Sequence, residues 1–263
     1  MKRILMFSCV ALLLNACKKD DVPNYNSSVK APLSVEFDNV VGSSDLQLNT
    51  GVYTNAAGEK FTITKLKYYV SNFKLTKADG TVYVVPQDSC YFLIDESDES
   101  THEPILNVPE GEYTSISFLI GVDSLRNTTD ISQRTSVLDV SGVATDMYWS
   151  WNSGYIFLKL EGTSPAVTAA GNVFQYHIGG FGGYTSATTN NLKTITLDLT
   201  ARGTPKVKAG KSTNIHLFVD ILKAINGTTN MSFATTAYIH SPAAGVPVAN
   251  NYADMIRHDH TEN

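Results

Sequence analysis

The side chains of this 263-residue chain that could do chemistry are few: six histidines, two tryptophans and three cysteines. Nucleophile-elbow, phosphate-loop, dinucleotide-glycine, zinc-protease and paired-cysteine patterns do not occur, so the expectation is a protein with no turnover of its own. The histidines are scattered. His102 falls in an acidic run, His177 and His216 lie opposite aliphatic rows on strand-like segments, and His240 is near a strand end. Only His258-Asp259-His260 is a local cluster, in which two alternating imidazoles could share a copper or zinc ion if the segment is extended. Both tryptophans fall in the stretch 147–162. Read as a strand, it places Met147, Trp149 and Trp151 on one face, and beyond Gly154 it sets Ile156, Leu158 and Leu160 against Tyr155, Phe157 and Lys159. Gly154 itself would permit a bulge or close approach by another chain.

Cysteine placement bears on location. Lys2 and Arg3, an apolar run from Ile4 to Leu14 and the sequence Leu14-Asn15-Ala16-Cys17 read as a lipoprotein signal over 1–16, with an apolar core too short to span a bilayer. Cys17 would become the lipidated first residue of a mature chain held at the membrane by its anchor, in the cell envelope, on the periplasmic or the surface-facing side of the outer membrane. Lys18-Lys19-Asp20-Asp21 resembles the charged tags that send some Gram-negative lipoproteins to the cell surface. With Cys9 removed and Cys17 acylated, Cys90 is left as a lone thiol in an apolar run, which excludes a disulfide framework. A net charge of −5 without a basic stripe argues against nucleic acid as a partner.

These residues need elements to position them. After a tether over 17–32, alternation starts at Leu33, Val35 and Phe37, and recurs at 60–77 with a bend at Ser71-Asn72, at 81–85, 91–95, 113–121, 173–178, 191–200 and 214–222. Residues 95–103 read as a solvated acidic loop, and 125–143 as a long polar loop of the kind that carries function or is disordered. Tyr252, Met255, Ile256 and Asp259 have helical spacing. The expected fold is all-β: an antiparallel two-sheet β-sandwich over 33–263 with a short C-terminal helix.

Several blocks, Leu66–Leu75 (LKYYVSNFKL), Phe92–Asp95 (FLID), Val108–Gly121, Asp146–Gly162 (DMYWSWNSGYIFLKLEG) and Phe174–Gly179 (FQYHIG), resemble the MbnP-like copper-binding protein family. The resemblance implies a β-rich periplasmic or surface protein for copper acquisition. It also implies a dihaem peroxidase-like partner able to oxidise a tryptophan to kynurenine, which then supports copper binding. Trp149 and Trp151 match the family's paired tryptophans, and His177 its histidine before the glycine. Copper is expected at His177, joined by His216 or His240; Trp149 and Trp151 are both candidates for the oxidised indole, and Trp151 is the preferred one because it precedes Asn152 and Gly154. Some members carry histidine where this chain has Tyr148 and Thr128. The functional expectation is a membrane-anchored extracytoplasmic protein for copper capture or storage. Its alternatives are a surface module binding carbohydrate or protein through exposed aromatics, and an accessory lipoprotein.

Overall fold

The computed structural model describes residues 24–151 and 154–263. The signal segment, Cys17 and the first part of the tether lie outside them. Two sheets pack face to face. The smaller has five strands, in the order Ile256–Glu262, Asn214–Asp220, Lys30–Val41 and Ser44–Asp45, with Ile105–Pro109 also on Lys30–Val41. The larger runs Lys193–Asp198, Gly111–Ile120, Lys60–Lys77, Gly154–Thr163, Val173–Gly179 and Tyr238–Ile239, with five short strands beside this path. The all-β expectation holds, but the sheets are mixed: Lys30–Val41 pairs parallel with Asn214–Asp220, and Val173–Gly179 parallel with Tyr238–Ile239. Parallel partners need a long crossover, and here most of the chain separates the first pair, so no local turn chemistry announces the direction of pairing.

Alternation places one face of each strand in the shared core. Val35 and Phe37 with Leu217 and Val219 from the smaller sheet meet Tyr68, Phe118, Leu158 and Ile178 from the larger. Phe37 lies edge-on to Phe118 at 5.6 Å between ring centres, a favourable aromatic geometry. The first strand begins at Lys30, three residues before the expected start, because Ala31 is already buried. The bend expected at Ser71-Asn72 is a register shift inside one 18-residue strand, where Asn72 has a φ of 56°.

The outer face of the larger sheet is covered too. Tyr69, Tyr155 and Phe157 project from it into a second apolar cluster with Val122, Leu138 and Met147. The long polar segment expected to carry function or disorder is therefore an ordered cover. The Tyr69 hydroxyl donates to the Val137 carbonyl at 2.7 Å, the Tyr155 hydroxyl to Leu138 at 2.6 Å, and the Tyr155 backbone N–H to Asn127 Oδ1 at 3.1 Å. Asp123 and Asp130 cap its short helical turns. This cover explains why Gly154–Leu160 is buried on both faces.

Two expected elements are corrected. The tryptophan stretch is not one strand but a tight hairpin, in which Trp149 pairs with Gly154 and Tyr148 with Tyr155. The C-terminal helix is Pro242–Tyr252, started by Ser241, whose side chain accepts from the Ala244 N–H, with proline at the first helical position. The series Tyr252, Met255, Ile256, Asp259 crosses the helix end. From Ile256 the chain is instead a strand, because its backbone completes the open side of Asn214–Asp220.

Candidate functional site

Trp149 ends the first strand of the hairpin and Trp151 lies in its turn, their rings 5.1 Å apart but in different surroundings. Trp149 is 6% exposed and Trp151 63%. A Cβ on Gly179 would stand 2.8 Å from Trp149 Cζ3 and 2.5 Å from the Tyr155 carbonyl oxygen, so the indole lies directly on the backbone of the neighbouring strand. Gly154 is filled from within the chain, by the Phe181 ring 3.1 Å from where its Cβ would be, and not by another chain.

Beside Trp151 opens a cleft of about 540 Å³ lined by Thr128, Arg134, Tyr148, Trp151 and Tyr184, among others. Arg134 is nearly buried, donates to the Asn127 and Thr129 carbonyls, and stands over the Tyr148 ring. Thr128 and Tyr148, the positions where some family members carry histidine, thus share one cleft, and here they bring hydroxyls beside a guanidinium. Among the described residues, no imidazole or thiolate lines it. This donor set does not fit copper.

His177 lies on Val173–Gly179, whose inward residues Phe174, Tyr176 and Ile178 are in the core, so His177 points to the same outer face as Gly179 and its indole. His240 follows the short strand Tyr238–Ile239 that pairs in parallel with Val173–Gly179, and its ring stacks on His177 at 4.5 Å. The structure therefore brings together His177 and His240 from the expected set. His177 Nε2 is 2.7 Å from Glu161 Oε1 on the next strand. Burial, with Lys159 and His240 close by, holds the His177 imidazole down at about 4 against the pull of Glu161. Its ring is neutral at neutral pH. An ionised carboxylate only accepts, so Nε2 carries the proton and Nδ1 keeps its lone pair.

His216 does not join them. It projects from the outer face of the smaller sheet, on the opposite side of the sandwich, beside Asp259 and His260. His258 and His260 do not share a side either: a bulge at Asp259 sets His258 opposite the inward-facing Leu217 and His260 opposite His216. Cys90 is buried as expected, its Sγ 3.1 Å from the Gln87 carbonyl and its thiol pushed up by burial. Sequence reading missed Glu161, Arg134 and Tyr184. Glu161 meets His177 diagonally across paired strands, a relation that appears only once the register Lys159 to His177 is known.

A family model named MbnP matches residues 30–241. A search of curated proteins returns no match. Among solved structures, MbnP from Methylosinus trichosporium is similar with a TM-score of 0.54 and 16% identity, covering 82% of each chain, a likeness that speaks to the fold. With four-fifths of its length matched in sequence to the family model, the chain belongs to the MbnP family.

Proposed function

We propose that this protein captures copper outside the cytoplasm, held to the outer membrane by a lipid on Cys17, and that the ion is bound on the outer face of the larger sheet by His177 and His240. The family is copper-related, and copper is cargo in this reading. The observation that carries it is the arrangement of His177: a neutral imidazole, stacked on His240, with a carboxylate behind its Nε2. A carboxylate on the far nitrogen fixes the tautomer and raises the basicity of the ligating one, as at many metal-bound histidines. Imidazole nitrogens suit copper. The cleft at Thr128 and Tyr148 is left out because its donors do not.

The same reading assigns any kynurenine to Trp151, the indole that an external dihaem peroxidase-like partner meets first. Peptide mass spectrometry of protein from copper-limited native cells reads this directly: a residue 151 that has lost a ring carbon and gained an oxygen supports the assignment, and an intact one removes it. Copper capture is tested by titration of the purified protein. His177→Ala and His240→Ala are each expected to weaken copper at least tenfold, within the 10- to 100-fold range typical of altered metal shells. Unchanged affinity in both overturns the proposal.

One observation favours a second reading. Trp151 and Tyr184, both about two-thirds exposed, line a single cleft, the kind of platform on which a sugar ring or peptide stacks. A surface ligand-binding module predicts quenching of tryptophan fluorescence by glycans, abolished in Trp151→Ala and indifferent to chelators.

A further inference from the structure

The geometry points to a second metal site, on the outer face of the smaller sheet, formed by His216, Asp259 and His260 and suited to a borderline divalent cation such as Zn²⁺ or Cu²⁺. One donor atom from each of the three residues lies within 4.8 Å of the others. The bulge creates this convergence. In an unbroken strand Asp259 and His260 would point to opposite faces, whereas the extra residue turns both toward His216.

Distances fit a common ion. Two donors bound at 2.0–2.1 Å with tetrahedral angles stand about 3.3 Å apart. Asp259 Oδ2 is 3.5 Å from His216 Nδ1 and 2.8 Å from His260 Nδ1. The two rings stack at 4.8 Å, so a small rotation of the half-exposed His260 completes the set and leaves a fourth position open to solvent. His216 Nδ1 is buried, makes no hydrogen bond to any described residue, and faces Asp259 Oδ2 across this gap.

Carboxylates also face the far nitrogen of His216, at longer range than Glu161 at His177. Asp38 Oδ2 and Glu36 Oε1, from the parallel neighbour strand, face His216 Nε2 at 3.5 and 3.8 Å. Arg202 and Arg257 each stand 3.7 Å from Asp259 Oδ1, orienting the carboxylate so that Oδ2 faces the imidazoles. Two imidazoles and a carboxylate form a donor set that zinc and copper(II) accept readily. Asp259 and His260 lie beyond the stretch matched to the family, so the site is completed by this chain's C-terminal strand and is independent of the copper reading at His177.

The test is calorimetric titration of the chelator-treated full chain with Zn²⁺ and, separately, Cu²⁺. Wild type is expected to bind Zn²⁺ at this site and to unfold at a higher temperature with it. His260→Gln and Asp259→Asn, changes at or near the surface whose folding is checked by circular dichroism, are each expected to weaken Zn²⁺ at least tenfold and to lose the thermal shift. His177→Ala should keep both. Failure of wild type to bind Zn²⁺, or Zn²⁺ affinity unchanged in both terminal-strand variants, overturns the site. Loss of Zn²⁺ in His260→Gln, with copper affinity unchanged when His177→Ala or His240→Ala is added to His260→Gln, would uphold it while removing the copper-capture reading.

Discussion

Two indoles two residues apart in the chain have unlike duties. Trp149 is sealed between Gly179 and the second apolar cluster, so Trp149→Ala leaves a cavity and is expected to cost about 3–5 kcal/mol in urea unfolding. Trp151 covers that ring from outside, and Trp151→Ala should cost about 1 kcal/mol or less, since exposed truncations leave no void. Equal losses would contradict this division. His177 makes a pH argument at the same scale. Its folded value near 4 lies below the ordinary 6.5 of an unfolded chain, so between them the unfolded state binds more protons and stability rises with pH. The neutral, well-packed form is complete above about pH 6.5 and is penalised as pH falls toward 4. Discounted for its partial exposure, the penalty is about 1–2 kcal/mol. Wild type should therefore lose more stability than His177→Gln between pH 7 and pH 4.5; parallel losses would place the imidazole in water.

At the scale of elements, strands whose one face is core were legible because hydrophobic alternation survives there: Leu33 to Phe37, Phe174 to Ile178 and Ile215 to Val219 all point as their spacing predicts. The rest was hidden for stated reasons. Tyr155 and Phe157 read as an outer face, and nothing local shows that residues 122–147 fold over them. The terminal strand was masked by its own bulge, which breaks alternation at Asp259, and by Tyr252 and Met255, which supply helical spacing across a helix end. Of the candidate site, His177 was legible through its motif, but its partner His240 is brought by a parallel pairing that spacing cannot encode. Gly179 links this strand to the indole. Gly179→Ala forces a methyl against Trp149 and the Tyr155 carbonyl, and is expected to cost about 1–3 kcal/mol and to displace the hairpin. A thermal midpoint equal to wild type would show that the indole yields without loss.

At the scale of the whole molecule, the two imidazole groups look outward from opposite sheets while the anchor is expected at one end of the chain. The Tyr25 hydroxyl donates to Glu112 Oε1 at 3.2 Å and the Asn26 N–H to Glu110 Oε2 at 2.9 Å, so the fold already holds the chain eight residues after Cys17. At about 3.3–3.6 Å per residue those eight residues span at most roughly 29 Å. A lipid on Cys17 would therefore keep the domain within one small-protein diameter of the bilayer. Among the described residues, the buried apolar core begins at Ala31 on the opening strand. Cys17→Ala should accordingly move the protein from the membrane fraction to the soluble one, with unfolding free energy and metal titrations unchanged. Those two readouts separate attachment from folding: release with wild-type stability assigns membrane association to the lipid alone, whereas retention of Cys17→Ala on membranes would mean that the folded domain itself binds there.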